Sequence, residues 1–154
     1  MTVRTFQAEL FLPVAPPELF PFFADASNLN TITPPWLHFR IVTGQPIEMQ
    51  EGALIDYRLR IRGLPWRWRT RINLWQPPHC FVDEQICGPF RHWIHEHTFT
   101  PKEGGTLVRD LVHYAAALDW MLHRLLVRPD IEKIFHFRAQ ALLERFGQPG
   151  VAGT

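Results

Sequence analysis

Cysteine is scarce in this chain. Its 154 residues include two, Cys80 and Cys87, too few for a disulfide scaffold and wrongly spaced for a chelating pair. Neither sign of charge is in excess: 16 Lys and Arg stand against 15 Asp and Glu, a formal +1. That balance excludes long-range capture of nucleic acid or membrane by the molecule as a whole. Long apolar runs are missing too. None approaches the ~20 residues of a membrane-spanning helix, and Met1 to Gln7 lacks the apolar stretch of a signal peptide. There is no P-loop, no GxGxxG and no serine-nucleophile motif, so nucleotide binding of the standard kinds is not expected. No internal repeat or linker interrupts the chain. The expectation is one reduced, cytoplasmic domain over residues 1–147, with a frayed tail at 148–154.

What is present is distinctive. Hydrophobic residues make up 46% and charged residues 20%, the balance of an ordinary globular protein. Twelve Phe, six Trp and fourteen Pro suggest strands cut by proline-rich corners around a roomy interior. Thr5 to Leu12 reads as a strand. Pro16 and Pro17 suit a helix start, with a short apolar helix over Glu18 to Ala24 and a second over Asp25 to Ile32, capped by Asp25 or Ser27. Phe39 to Val42 is a short strand. Ala53 to Ile61 alternates, with Ile55, Tyr57, Leu59 and Ile61 on one face and Asp56, Arg58 and Arg60 on the other. Trp66 to Trp75 alternates again, with Trp66, Trp68, Thr70, Ile72 and Leu74 against Arg67, Arg69, Arg71 and Asn73. Strands over Cys80 to Cys87, Arg91 to Thr100 and Thr106 to Ala116 follow, the last two joined by a hairpin at Lys102 to Gly105. Asp119 to Val127 is a short helical stretch, and Pro129 separates it from a long amphipathic helix, Ile131 to Phe146, with Asp130 as its N-cap.

The fold class is therefore α+β: a curved antiparallel sheet of about seven strands, two short helices after the first strand, and a long C-terminal helix on the sheet. A curved sheet gripping one helix leaves a space between them, a ligand cavity by default.

The segments IDYRLRIRGLPWRWRTRI (55–72), PPHCFVDEQICGPFRHWIHEHTF (77–99), GGTLVRDLVHYA (104–115) and DIEKIFHFR (130–138) resemble the START-like, helix-grip superfamily, also called SRPBCC. They look like its bacterial, polyketide cyclase/dehydratase-like ligand-binding branch, whose members sometimes stand beside an epimerase-like domain. The resemblance runs from Phe6 to Phe146. It implies the helix-grip fold and an apolar-ligand pocket, and it implies no particular reaction, because carriers, cyclases and inert binders share this scaffold.

Side-chain parity selects the interior. The arginine faces of the third and fourth strands turn outward, so Tyr57 and Trp68 point in. Trp93, His95, His97 and Phe99 share an inward face, as do Val108, Asp110, Val112 and Tyr114. The fifth strand is ambiguous on hydrophobicity, and the family pattern favours Phe81, Asp83 and Gln85 inward. By that parity Cys80 and Cys87 lie on opposite faces of one strand, where they cannot bridge. At about 100° per residue, Arg138 falls inside the helix's apolar stripe, and a buried Arg needs a partner. Asp110 and Asp83 are the carboxylates available.

Each candidate carries two readings. Arg138 with its carboxylate is either a salt bridge tying helix to sheet or an anchor for a ligand's carboxylate or phenolate. His95 and His97, two apart on one face and about 7 Å between Cα atoms, suit a hydrogen-bonded network or acid–base chemistry. The pair lacks a third metal ligand at recognisable spacing, although Asp83 is available in principle. No metal and no cofactor is expected. The arginine run from Arg58 to Arg71 reads first as an outer sheet face with cross-strand partners such as Asp56, Glu84 and Glu96, and second as a patch for an acidic partner. No nucleic acid is expected. Trp36-Leu37 and Trp120-Met121 suit either packing over the pocket mouth and helix foot, or a lid or a dimer contact, which leaves a homodimer open.

The expected function is binding of a small, mostly apolar ligand, lipid-like or aromatic and optionally acidic. Tyr57, Trp68, Trp93 and Phe99 would supply wall, and Asp83, Gln85, His95, His97, Asp110, Tyr114 and Arg138 would fix orientation. The alternatives are a cyclase or dehydratase using His/Asp acid–base chemistry in the same cavity, and an interaction module using the arginine face.

Overall fold

The computed structural model describes residues 2–117 and 120–147. Asp119 and the 148–154 tail lie outside the described residues. Strand β1 (Arg4–Leu12) leads into helix α1 (Pro16–Ala24) and two 3₁₀ segments, Ala26–Ile32 and Pro35–Leu37. Strands β2 (Arg40–Ile41), β3 (Leu54–Ile61), β4 (Leu64–Gln76), β5 (Cys80–Cys87), β6 (His92–Lys102) and β7 (Gly105–Ala115) follow. The chain then continues through α2 (Trp120–Leu122), one π-helical segment (His123–Val127) and α3 (Arg128–Phe146).

The seven strands form one antiparallel sheet in the order β1-β7-β6-β5-β4-β3-β2. From β2 to β7 it is a meander, and β1 joins at the far edge by pairing with β7. The β3–β4 hairpin turns through Arg62 and Gly63, both at positive φ (52° and 80°). That is the two-residue turn whose twist matches the flanking strands, and Gly63 adopts it without a Cβ penalty.

Helix α3 buries Ile131, Phe135, Arg138, Leu142 and Phe146, a stripe at three- and four-residue spacing. At one end Leu142 and Phe146 join Leu12, Leu19, Phe20, Phe22, Phe23, Phe81, Phe99 and Val108 in a closed apolar core. Further along, Ile131 and Phe135 pack with Phe6, Val112 and Tyr114. Among the described residues, no helix is long and apolar enough to cross a membrane.

The second short helix is a 3₁₀ helix capped, as expected, by Asp25, whose Oδ1 accepts from the Ser27 backbone N–H at 3.0 Å. Two readings of the sequence need correction. Pro129 does not break the C-terminal helix, and Asp130 is not its N-cap. The helix runs through from Trp120, and Pro129 sits in the first turn of α3 just after the π-helical segment. Proline has no N–H to give and its ring crowds the carbonyl four residues back; the wider π-type turn before it makes room. Finally, period-2 parity fails late in β4. Of two register shifts between β4 and β5, the first skips Ile86 of β5 and the second skips Asn73 of β4. Past the second, Trp75 joins the core against Phe20 and Phe81, where unbroken alternation would place Leu74. An extra residue in one strand exchanges its faces.

Candidate functional site

Between the sheet and α3 lies a cavity of about 980 Å³. Its wall is mostly apolar, with Leu59, Tyr57, Trp68, Trp93, Phe90 and Ile134 among the lining side chains. Trp68 centres the aromatic wall: it stacks on Tyr57 at 5.9 Å and 17°, and meets Trp93 edge-on at 5.4 Å. Thr70 Oγ1 anchors both ends of that stack, receiving Trp68 Nε1–H at 3.0 Å and lying 3.0 Å from the Tyr57 hydroxyl. The polar atoms of two large aromatics are thereby satisfied on one hydroxyl, which leaves their apolar faces to the cavity. Burial pushes the Tyr57 phenol far up from its ordinary value, with the Asp83 charge adding to the effect, so it is a neutral wall residue.

One part of the wall is polar. Strand register explains how it assembles. Asp83 on β5 sits opposite His95 on β6, and His97 sits opposite Asp110 on β7. Each histidine bonds the carboxylate diagonal to it. His97 Nε2 is 2.6 Å from Asp83 Oδ2, and His95 Nε2 is 2.8 Å from Asp110 Oδ1. The opposite pairs are looser, with His97 Nδ1 3.4 Å from Asp110 Oδ1 and His95 Nδ1 3.9 Å from Asp83 Oδ2. The two imidazoles stack at 3.6 Å, and Phe81 stacks on the outer face of His97 at 3.9 Å. From α3, Arg138 Nη2 donates to Asp110 Oδ1 at 3.3 Å, and its guanidinium lies over the Phe23 ring.

The electrostatics follow from this geometry. Burial opposes ionisation of Asp110, but the Arg138 charge and the bonds from His95 and His97 outweigh it and hold the carboxyl well below the usual range. Asp83 is also lowered, its burial outweighed by the His97 bond and by the charges of His97, His95 and Arg138. The histidines diverge. Burial, aided by the His97 charge, pushes His95 down, whereas both carboxylates overcome burial at His97 and push it up. The result is a buried quartet of two carboxylates and two imidazoles, braced by one guanidinium, in which His97 takes up a proton more readily and His95 is neutral. In that state His95 donates through Nε2 to Asp110, so the Nδ1 lone pair is the ring's acceptor.

The eleven expected site residues divide into two groups. Tyr57, Trp68, Asp83, Trp93, His95, His97 and Arg138 line the cavity. Phe99, Gln85, Asp110 and Tyr114 do not. Phe99 belongs to the closed core around Phe20 and Phe23. Tyr114 is fully buried and its hydroxyl lies 2.8 Å from His123 Nε2, tying β7 to the π-helical segment. Asp110 stands behind the histidines and orients them. Gln85 clamps the next turn, donating to the Phe90 carbonyl at 2.7 Å and accepting from the Phe90 N–H at 3.1 Å. A Cβ at Gly88 would collide with that Gln85 side chain, so the clamp needs glycine there. The clamp presents Phe90 to Trp68 and Trp93, a wall contact that strand parity alone does not reveal.

Sequence reasoning also missed the rim. Arg62, in the β3–β4 turn, makes a two-pronged ion pair with Asp130 of α3, both bonds at 2.9 Å. Both residues line the cavity, so the pair joins the tip of a hairpin to the helix across the space. Arg62 looks from sequence like one more outward arginine, and Asp130 like a cap. On the outer face, Arg69 pairs with Asp56 and Arg71 with Glu84, at 2.7 and 3.0 Å. Glu96 pairs instead with His113 at 3.2 Å.

Comparison with known proteins accords with this architecture. Residues 12–143 match the family model described as polyketide cyclase / dehydrase and lipid transport. A search of curated proteins finds no match. Among solved structures, the Zhui aromatase/cyclase from Streptomyces sp. R1128 superposes with a TM-score of 0.73 at 14% identity, over 93% of each chain. Ara h 8.0201 superposes at 0.64 with 18% identity, over 93% of this chain and 99% of that one. A nucleoside-diphosphate sugar epimerase from Corynebacterium glutamicum superposes at 0.68 with 21% identity, over 91% of this chain but 28% of its own length. At these identities the structural likeness shows the helix-grip fold. With the family match spanning most of the sequence, the chain belongs to the polyketide cyclase/dehydrase and lipid transport family.

Proposed function

We propose that this protein binds a small, mostly apolar ligand, aromatic or lipid-like, with one polar group set against His95, His97, Asp83 and Arg138. The observation that carries the reading is the cavity itself. About 980 Å³ is at the upper end of small-molecule sites, and an apolar wall with a few convergent polar groups is their usual chemistry. The polar quartet already holds two carboxylates, Asp83 and Asp110, with Arg138 taken up by one of them, so a neutral hydroxyl, phenol or carbonyl is favoured over a carboxylate. The test is mass spectrometry of an organic extract from gently purified protein, against a denatured and washed control. A near-stoichiometric apolar compound supports the reading. If apolar fluorescent probes also fail to bind at about 100 µM, the reading is wrong.

A second reading is acid–base turnover in the same cavity, favoured by His95. Its Nε2 is oriented by Asp110 while Nδ1 keeps its lone pair, the arrangement of a positioned general base. Here His95→Ala abolishes turnover of a bound carbonyl compound and leaves its affinity nearly unchanged. Equal loss of both would refute catalysis by this residue.

A further inference from the structure

We propose that Asp83, His95 and His97 form a two-histidine, one-carboxylate site for a divalent first-row transition-metal ion, zinc or iron(II). Among the described residues, these three are the one group of His, Cys, Asp or Glu side chains whose ligand atoms come together, all within 4.8 Å of one another. With bonds of about 2.0–2.2 Å, ligand atoms around one ion sit about 3–3.5 Å apart. Asp83 Oδ2 lies 2.6 Å from His97 Nε2 and 3.9 Å from His95 Nδ1, which brackets that spacing. Small side-chain rotations close it.

The outer contacts make this a built site. Histidine ligands characteristically donate their other ring N–H to a carboxylate, which fixes the ring and strengthens the ligand nitrogen. Asp110 Oδ1 does this for His95, accepting from Nε2 at 2.8 Å, and lies in ion-pair contact with His97 Nδ1 at 3.4 Å; Arg138 holds Asp110 in turn. The nitrogens left over are those nearest Asp83. His95 Nδ1 and Asp83 Oδ2 then face each other as two acceptors across 3.9 Å, a gap that suits a cation. The backbone holds the set rigidly, because Asp83 pairs with His95 in register and His97 follows on the same face.

Uptake displaces the proton shared by His97 Nε2 and Asp83 at 2.6 Å, which moves to Nδ1 or leaves to solvent, and no oxidant or reductant is involved. Three protein ligands leave coordination positions open toward the cavity. The site uses the polar wall of the proposed ligand cavity, but metal uptake is measured without any organic ligand, so either proposal can fail alone. It also competes with the base reading, since the ion takes the His95 lone pair and would polarise a ligand's carbonyl as a Lewis acid instead.

The experiment titrates the chelator-treated 154-residue chain with Zn²⁺ by calorimetry and with Co²⁺ by visible absorption. One equivalent at a Kd of about 1 µM or tighter is the expected result. Asp83→Asn and His95→Ala abolish the tight step, Asp110→Asn weakens it about 10–100-fold, and the surface control His113→Ala changes nothing. Folding of each variant is checked by near-UV circular dichroism. Should a variant not fold, the wild type still decides: its Co²⁺ form shows paramagnetically shifted N–H proton signals from two ligated imidazoles. No uptake at about 100 µM Zn²⁺, uptake indifferent to Asp83→Asn and His95→Ala, or Co²⁺ spectra without those two signals would overturn the proposal.

Discussion

Arg138 and Asp110 meet at 3.3 Å, one from the helix and one from the sheet, where neither side chain is more than a tenth exposed. The sequence narrowed Arg138's partner to Asp83 or Asp110, and the bond goes to Asp110. Removing one member of a buried pair strands the other charge, at a cost of about 3–5 kcal/mol. Arg138→Met is expected to lose stability on that scale in urea unfolding, and Arg138→Met with Asp110→Asn to lose less than the two single changes together. Additive losses would show that the pair is not coupled.

Ile134 faces the cavity from α3. Ile134→Trp fills space without removing any polar contact. Binding of an apolar fluorescent probe is expected to weaken at least about 10-fold, roughly 1.4 kcal/mol, with little change in thermal midpoint. Unchanged affinity would place the ligand elsewhere.

Arg62 and Asp130 span the cavity rim, and Arg62 is half exposed at 49%. Exposed pairs contribute under about 1 kcal/mol, so Arg62→Ala should hardly alter unfolding. Its effect belongs to kinetics: stopped-flow dissociation of a bound probe should speed up several-fold, and high salt should speed the wild type in the same direction. Identical off-rates in both proteins would remove the rim pair from any role in exchange.

His123 offers a pH handle away from the quartet. Burial first, then the charges of Arg4 and Arg128, push its imidazole below the ordinary value, while the Tyr114 hydroxyl holds it at 2.8 Å. The unfolded chain therefore takes up this proton at a higher pH than the folded one. Stability attributable to the neutral ring is present above about pH 6.5, the unfolded value, and is lost as the pH falls from there toward the folded value. Thermal midpoints at pH 8 and pH 5.5, read as the difference between wild type and His123→Gln, should narrow on acidification. A constant difference refutes the assignment.

The outer face holds one unfavourable row. Arg40 sits opposite Arg58, and Arg58 opposite Arg67. Like charges directly across a sheet destabilise it by a few tenths to about 1 kcal/mol. Arg58→Thr should therefore stabilise the protein, most at low salt, as read by denaturant midpoint. A loss of stability would show that these side chains find compensation elsewhere on the face.

Much of this was legible in the sequence because one periodicity carried it. The clean alternation of Ile55, Tyr57 and Leu59 with Asp56, Arg58 and Arg60 placed β3 and its faces, and His95 and His97 fell inward by the same rule. The rule stopped where the backbone departs from it. A bulge at Asn73 of β4 exchanged Leu74 for Trp75, and the π-helical segment carried the helix past Pro129. Parity also cannot distinguish a residue that touches the cavity from one behind it. Asp110, Gln85, Tyr114 and Phe99 share the inward side with the histidines, yet they orient, clamp or fill. The Arg62–Asp130 pair was invisible for another reason: it joins two elements 68 residues apart, and only the closed fold brings them together.

The sheet order has a last consequence, for how the chain is made. Every strand from β3 to β7 pairs with the one just before it, but among the described residues β1 pairs only with β7. Thr5 and His113, partners across that junction, are 108 residues apart in sequence. At a synthesis rate of about 5–20 residues per second, the first strand emerges from the ribosome many seconds before its only neighbour exists. Its long loop closes last, which makes β1 docking the slow, topologically costly step of folding and makes this strand the one most in need of protection in a nascent chain.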